Sequence, residues 1–454
     1  MPVMDAIALS LQIAVYFLAL WMGFYLLNRN PAKTQLNLAS WGLVAYAAAL
    51  AANILGSFSP ESLTTLLNNS FNALIYVPAL LWSGCLLYLM PEDKQKDGLT
   101  RGWSFILLPI GLVFLLTKLL TGFDAPWLTA LVVLVPLIFS FVLLANALRS
   151  TESEHPFGLI VFAAIFFALG TGLALFPFIS IPTFWVILAI GLDVAALGLG
   201  IVVVDAFDEG QRLGLDMLRS FQISFFTSLL FAGQVVLVIV LSENLSSTLL
   251  ALLISTIAAA VALAVFADPL QGLIDRLLFD PQDQEERAQR RAMTQAEARL
   301  DDKSNLATLP QKEFARLTRR ALSHFGDLPR LASSPLTQLP IIEQRLEEKQ
   351  LRADTLQRAA ELKALLTESI EGLKPADGQP FNSADQWRHF NALYYPYVVG
   401  IKPYRRRQPL DDFDEASSQA LEWFRVQVPE RTLYNWQNAA AELIAQDLRE
   451  QLGE

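Results

Sequence analysis

Hydrophobic positions along the chain follow two regimes that change near residue 267. Before that point apolar residues continue for about twenty positions at a time, long enough for a helix to cross the hydrocarbon core of a bilayer. Nine such runs can be read, near 6–28, 36–57, 66–90, 103–121, 126–148, 157–178, 182–204, 221–241 and 246–266, with "PFISIP" at 177–182 as a tight re-entry turn. After that point apolar residues recur at three- and four-residue intervals among charges, the pattern of helices with one buried face. The expected fold class is all-α. A polytopic helical membrane bundle of about nine transmembrane helices (1–267) leads into an amphipathic juxtamembrane helix and charged linker (268–303). An all-helical domain (304–454) follows, its last part (413–450) patterned as a helix-turn-helix.

Charge sharpens this division. Of the 34 Lys+Arg and 44 Asp+Glu, only 9 and 14 precede Asp268, while 25 and 30 follow from there to the end. Loops after the odd-numbered runs carry Arg29 and Lys33, then Lys94, Lys96 and Arg101, then Arg149, then Arg212 and Arg219; loops after the even-numbered runs carry no basic residue. Basic residues concentrate on the cytoplasmic side of membrane proteins. The expected topology therefore puts the N-terminus outside and the C-terminal domain in the cytoplasm. "MPVMD" has no basic residue and no cleavage site stands out after it, so 6–28 is expected to be a retained helix. Lys118 falls at the outer end of the fourth run, where its stem can snorkel to the surface.

Candidate chemistry is sparse. A single cysteine, Cys85, and three scattered histidines, His155, His324 and His389, offer neither a disulfide nor a metal-ligand spacing. No catalytic set and no cofactor motif is identified, and a non-enzymatic protein is expected. Asp193, in "VILAIGLDVAALGLGIVVV", is the one carboxylate near the centre of a run and hence the intramembrane sensing candidate, weighed against a packing contact helped by Gly191, Ala195, Ala196 and Gly198. Asn68, Asn69 and Asn72 cluster at the outer start of the third run, as a pocket rim or as interfacial caps. Trp41, Trp82, Trp103, Trp127 and Trp185 are expected in the aromatic belt at the membrane surfaces.

Beyond the last run, Leu270, Leu273, Ile274, Leu277 and Leu278 form an apolar helical stripe, with Asp275 and Arg276 off it. Such a helix can lie along the inner membrane surface and relay bundle motion. "PQDQEERAQRRAMTQAEARLDDKS" follows as a solvated linker or a short homodimer contact through 281–300. The two stretches "GLGIVVVDAFDEGQRLGLDMLRSFQISFFTSLL" and "FADPLQGLIDRLLFDPQD" resemble the membrane region of bacterial sensor histidine kinases, with a seven-helix sensor plus two further spans, over roughly residues 1–280. That resemblance implies a sensory role. The kinase core is missing: His324 and His389 lack the surroundings of a phosphoacceptor, and no glycine-rich ATP lid follows.

In the C-terminal part, Phe314, Leu317, Ala321, Leu322 and Phe325 share one helical face, and "DTLQRAAELKALLTESIEGL" is a second amphipathic helix. "SADQWRHFNALYYPYV" is expected to start at a Ser383 cap and to bury Trp387, Phe390, Leu393 and Tyr394 or Tyr397, with Pro396 ending or kinking it. Glu415–Phe424 forms a short helix and "RVQVP" a turn, with Pro429 at the first position of a last helix. Leu433, Trp436, Ala440, Leu443, Ile444 and Leu448 dock that helix. Glu430, Arg431, Tyr434, Asn435, Gln437 and Asn438 are left facing outward at its start, where a recognition helix carries donors and acceptors for the major groove. Lys402, Arg405, Arg406 and Arg407 precede it as phosphate clamps.

Residues 314–450 resemble a C-terminal module of bacterial regulators, through "RALSHFGDLPRLASSPL", "WRHFNALYYPYVVGIKPY" and "VPERTLYNWQNAAAELIAQDLRE". Its last block is similar to sigma-factor region 4, which implies that Arg431, Thr432, Tyr434 and Asn435 hold the reading positions. Glu430 and Asn435 stand where basic residues are common in that module. The resulting expectation is a membrane-bound signal-sensing regulator with the lipid bilayer and DNA as partners. The alternative is a membrane scaffold whose helical domain docks a cytoplasmic signalling protein.

Overall fold

The structure is a computed structural model describing residues 3–31, 33–90, 97–149, 158–176, 182–209, 213–242, 245–278, 287, 306, 309–376, 381–404 and 413–453. Among the described residues all regular structure is helical. Two compact units emerge, one of Met1–Asp205 with Met217–Leu277, the other of Ala206–Asp216 with Leu278–Glu454.

The first unit contains α1 (Val3–Arg29), α2 (Thr34–Gly56), α3 (Glu61–Leu74), α4 (Val77–Tyr88), α5 (Asp97–Gly102), α6 (Leu108–Thr121), α7 (Pro126–Thr129), α8 (Val135–Arg149), α9 (Gly158–Leu175), α12 (Ser247–Val265) and most of α10 (Thr183–Glu209), α11 (Leu213–Ser242) and α13 (Ala267–Leu278). π-helical turns at Trp103–Leu107 and Ala130–Leu134 join α5 to α6 and α7 to α8. Eight of the described helical stretches are long and apolar enough to cross a bilayer, so the chain is a multi-pass membrane protein. The expected sixth crossing coincides with the apolar helix α9, Gly158–Leu175.

A membrane bundle has little hydrophobic drive between its helices, so close approach through small residues holds it together. α10 shows this: a Cβ added to Gly191 would lie 2.4 Å from Val15 of α1 and 2.8 Å from the Tyr46 hydroxyl of α2. That hydroxyl donates to the Ile187 carbonyl. Further hydrogen bonds tie α1 to its neighbours, from Ser40 Oγ to Gly23 O (2.7 Å), Tyr16 Oη to Ile254 O (3.2 Å) and Asn28 Nδ2 to Val265 O (2.9 Å). Such side-chain bonds replace the water that the lipid interior withholds.

Three expectations need correction here. The third run is two helices, broken at Ile75–Tyr76, and Pro78 sits in the first turn of α4 where its missing N–H costs nothing. Trp82 and Trp103 are buried, so they leave the aromatic belt; the Trp103 indole donates to Ser83 Oγ at 2.8 Å, while Trp41, Trp127 and Trp185 are exposed as a belt requires. Lys118 is buried, 3.0 Å from Asp124 Oδ1 and 4.8 Å from the centre of the Tyr76 ring. A carboxylate and an aromatic face within reach make pairing cheaper than snorkelling.

The second unit has α14 (Gln311–Ser323), α15 (Leu328–Ala332), α16 (Pro340–Glu348), α17 (Thr355–Gly372), α18 (Arg388–Leu393), α19 (Glu415–Gln427) and α20 (Glu430–Gly453). Carboxylate caps start three of them: Asp327 accepts from Arg330 N (3.2 Å), Asp354 from Gln357 N (2.8 Å) and Asp414 from Ser417 N (3.0 Å). The expected face of α14 is buried as read, in one core with Leu365, Leu366, Trp387, Phe390, Phe424, Ile444 and Leu448. Between α16 and α17, Arg345 bonds both Glu368 oxygens at 2.9 and 2.6 Å, and Lys349 reaches Glu361 at 2.7 Å.

The middle aromatic segment departs from its simple helical reading. Ser383 is exposed and caps nothing; Asn382 Oδ1 instead accepts from Ala384 N at 3.0 Å before a 3₁₀ turn at Asp385–Trp387. A π-helical turn at Tyr394–Val399 then widens the helix. This shifts the register by one, so Tyr395 is the buried tyrosine and Tyr394 and Tyr397 are only half-buried. Pro396 sits inside that turn, and the segment ends at Gly400, whose φ of 86° suits glycine.

Candidate nucleic-acid interface

The start of α20 is built by three segments. α19 runs on to Gln427, further than the spacing suggested, leaving Val428 and Pro429 as the whole connection. Pro429 accepts at its carbonyl from Thr432 N (2.8 Å) and Leu433 N (3.1 Å), which makes it the residue before the helix rather than its first. α20 packs along α14 and α18. Leu433, Ala440, Ile444 and Leu448 are buried as expected, and Trp436 stacks on Trp423 of α19 with ring centres 5.8 Å apart. Leu443, expected in the docking stripe, is exposed instead. Over 24 residues the helical period drifts, and Ala441 and Ala445 take the buried side.

The third segment is "GIKPY". Ile401 and Pro403 are buried, the Pro403 carbonyl accepts from Arg425 Nε at 3.0 Å, and the Tyr404 hydroxyl donates to the Val428 carbonyl at 2.8 Å. A strap thus crosses the α19–α20 connection and leaves Lys402 exposed beside it. Arg405, Arg406 and Arg407 follow in sequence directly after Tyr404; they lie outside the described residues, as does the 281–300 linker apart from Arg287.

The six positions expected to face outward divide into two sets. Glu430, Arg431 and Asn435 are exposed. Tyr434 is half-buried under Arg319 of α14, whose guanidinium lies 4.3 Å from the ring centre. Gln437 donates from Nε2 to the Ala392 carbonyl at 3.1 Å, and Asn438 holds its Oδ1 buried without a hydrogen bond. Thr432 is half-buried. Gln437 therefore serves the α18–α20 packing, and both Gln437 and Asn438 are half-buried where an outward placing was expected. For Gln437 a tertiary neighbour decides this, because α18 lies on the side that the helical wheel left free. Burial raises the Tyr404 phenol pKa, and the nearby Glu430 carboxylate raises it further. Glu430 thus places a carboxylate near Tyr404 of the strap.

The basic groups missed by the sequence reading are Arg319, which meets Tyr434 of α20, and Arg425, which holds the Pro403 carbonyl of the strap. His389 is half-buried on α18, where burial lowers its pKa and its Nε2 accepts from Arg388 Nε at 3.2 Å.

Asp193 lies in the other unit. It is half-buried on α10 beside α9, its Oδ2 3.9 Å from where a Cβ on Gly170 would sit. Among the described residues no group of His, Cys, Asp and Glu could hold a metal ion. Comparison of the chain with protein-family models, with curated proteins and with solved structures returns no match.

Proposed function

We propose that the chain is a membrane-embedded regulator of a bacterial inner membrane, its last helical unit giving a cytoplasmic output by binding DNA. One observation carries this reading: Arg431 and Asn435 are exposed one turn apart on the first turns of α20, and the Lys402 strap is tied to the same end through Tyr404 and Val428. A side-chain pair at that spacing reaches adjacent base edges, with arginine suited to guanine and asparagine to adenine. Lys402 and the adjoining Arg405–Arg407 run supply phosphate contacts that fix the register. Asp193 is the sensing candidate in the membrane, and pairing through 281–300 would match a two-fold DNA site.

Full-length protein in lipid nanodiscs, presented with a genomic-fragment library across salt concentrations, tests this. Enriched sites are expected, with discrimination falling by about 1–3 kcal/mol for each of Arg431→Ala and Asn435→Ala. Alanines at Arg405–Arg407 are expected to flatten the salt dependence by about one counterion per lost phosphate contact. Unchanged discrimination in the double variant removes the recognition-helix assignment.

A second reading, a non-enzymatic scaffold whose helical unit docks a cytoplasmic signalling protein, is favoured by Glu430 at the head of α20 and by the inward turn of Gln437 and Asn438. It predicts capture of one protein that survives nuclease treatment, with no enriched DNA site at low salt.

A further inference from the structure

We propose that α13 is an interfacial helix whose occupant is the bilayer surface itself, held by apolar insertion and not by charge. The membrane-spanning helix α12 ends at Val265 and α13 begins at Ala267, with Phe266 alone between them. α13 therefore emerges at the depth where acyl chains meet headgroups. Among the described residues of its stripe, Leu270, Leu273 and Ile274 are left open by protein, at 37%, 54% and 51% exposed. Asp275, on the other side of the helix, is only 7% exposed. A helix that buries its carboxylate and bares its leucines has an apolar solvent on the bared side, and the end of α12 specifies which one.

Charge sets the kind of lipid. Interfacial helices combine apolar insertion with attraction of Lys and Arg to anionic headgroups. α13 carries Asp268, Asp275 and Arg276, for a net charge of −1, and no lysine. The electrostatic contribution is thus absent or repulsive, and the helix responds to acyl-chain packing at the surface. Loosely packed or thin bilayers accept the three side chains more readily, while anionic lipid does not strengthen the contact. This placement stands apart from the DNA reading and holds for either proposed output.

The native Cys85 is fully buried, so a thiol-reactive fluorophore reports on an introduced cysteine. Full-length protein carrying Leu273→Cys or Gln271→Cys is labelled and reconstituted into zwitterionic vesicles, then quenched with lipid-borne nitroxide at interfacial depth or with aqueous iodide. Gln271 is exposed on the flank of the same turn. The expected result is several-fold stronger lipid quenching at 273 than at 271, the reverse for iodide, and no gain at 273 when anionic lipid is added. Iodide reaching both sites equally overturns the proposal, as does a 273 label shielded from both quenchers, which would mean that protein covers the stripe. Lipid quenching that rises with anionic content and falls with salt overturns the apolar mode of attachment.

Discussion

The two units differ in what they leave exposed, although both are helical and come from one chain. In the second unit the largest side chains are inside: Trp387, Phe314, Phe424 and Tyr395 are almost fully buried. In the first, many large apolar side chains are outside, with Phe105 79% and Trp127 78% exposed, while glycines and hydroxyls sit between helices. Water explains the second pattern, since apolar area is driven out of contact with it. Lipid explains the first, since a leucine gains nothing by leaving acyl chains and the helices must be held by fit and by hydrogen bonds. An exposed aromatic therefore has no single meaning in this molecule; its unit decides.

Glycine gives the sharpest way to break that comparison. Gly191→Leu puts carbon where Val15 and Tyr46 already stand, and it is expected to abolish the folded form, seen as aggregation in size-exclusion chromatography in detergent. Gly372→Ala, at the end of α17 where an added Cβ meets nothing, is expected to be neutral or to stabilise by up to about 1 kcal/mol. A well-folded Gly191→Leu protein would show that the α1–α2–α10 approach is looser than described.

Next in size, Phe424→Ala is expected to cost about 3–5 kcal/mol in the unfolding of the second unit, because it opens a cavity in a core that water surrounds. Phe105→Ala, despite removing the same side chain, is expected to leave the thermal midpoint of lipid-reconstituted protein unchanged. Similar losses at both positions would mean that protein, not lipid, covers Phe105.

The smallest effect is a pH dependence confined to the second unit. Burial depresses the folded pKa of His389 below its unfolded value of about 6.5. Its stabilising contribution is then fully present above that unfolded value and is lost as pH falls and the unfolded chain takes up the proton. Denaturant midpoints of the wild type are expected to drop between pH 7.5 and 5.5 by more than those of His389→Gln. Parallel curves would assign the pH dependence to other groups.

The membrane half was legible because a spanning helix announces itself by length and composition alone, and eight of the nine apolar runs coincide with described stretches long and apolar enough to cross. Even there the sequence left Lys118 as a snorkelling residue, because its partner Asp124 sits on the loop after the helix, and Trp103 as a belt residue, because Ser83 is twenty positions earlier. The candidate interface was legible in Arg431 and Asn435, which follow the helical period from the buried Leu433. Gln437 and Asn438 were misread since the period fixes an angle around α20 but not which neighbour stands there.

The sequence by itself determined that this is a helical multi-pass membrane protein with a separate helical unit, that α13 is two-sided, and that cations cluster before the last helix. Those properties follow from composition and local periodicity, which act within a few turns of chain. Only the tertiary structure decided that Tyr404 is tied to Val428 just before α20, that Arg319 lies on Tyr434, and that Gln437, one of the expected reading groups, donates to the Ala392 carbonyl of α18. Each is a contact between residues at least 24 positions apart, where packing space and hydrogen-bond partners, not local propensity, choose the outcome.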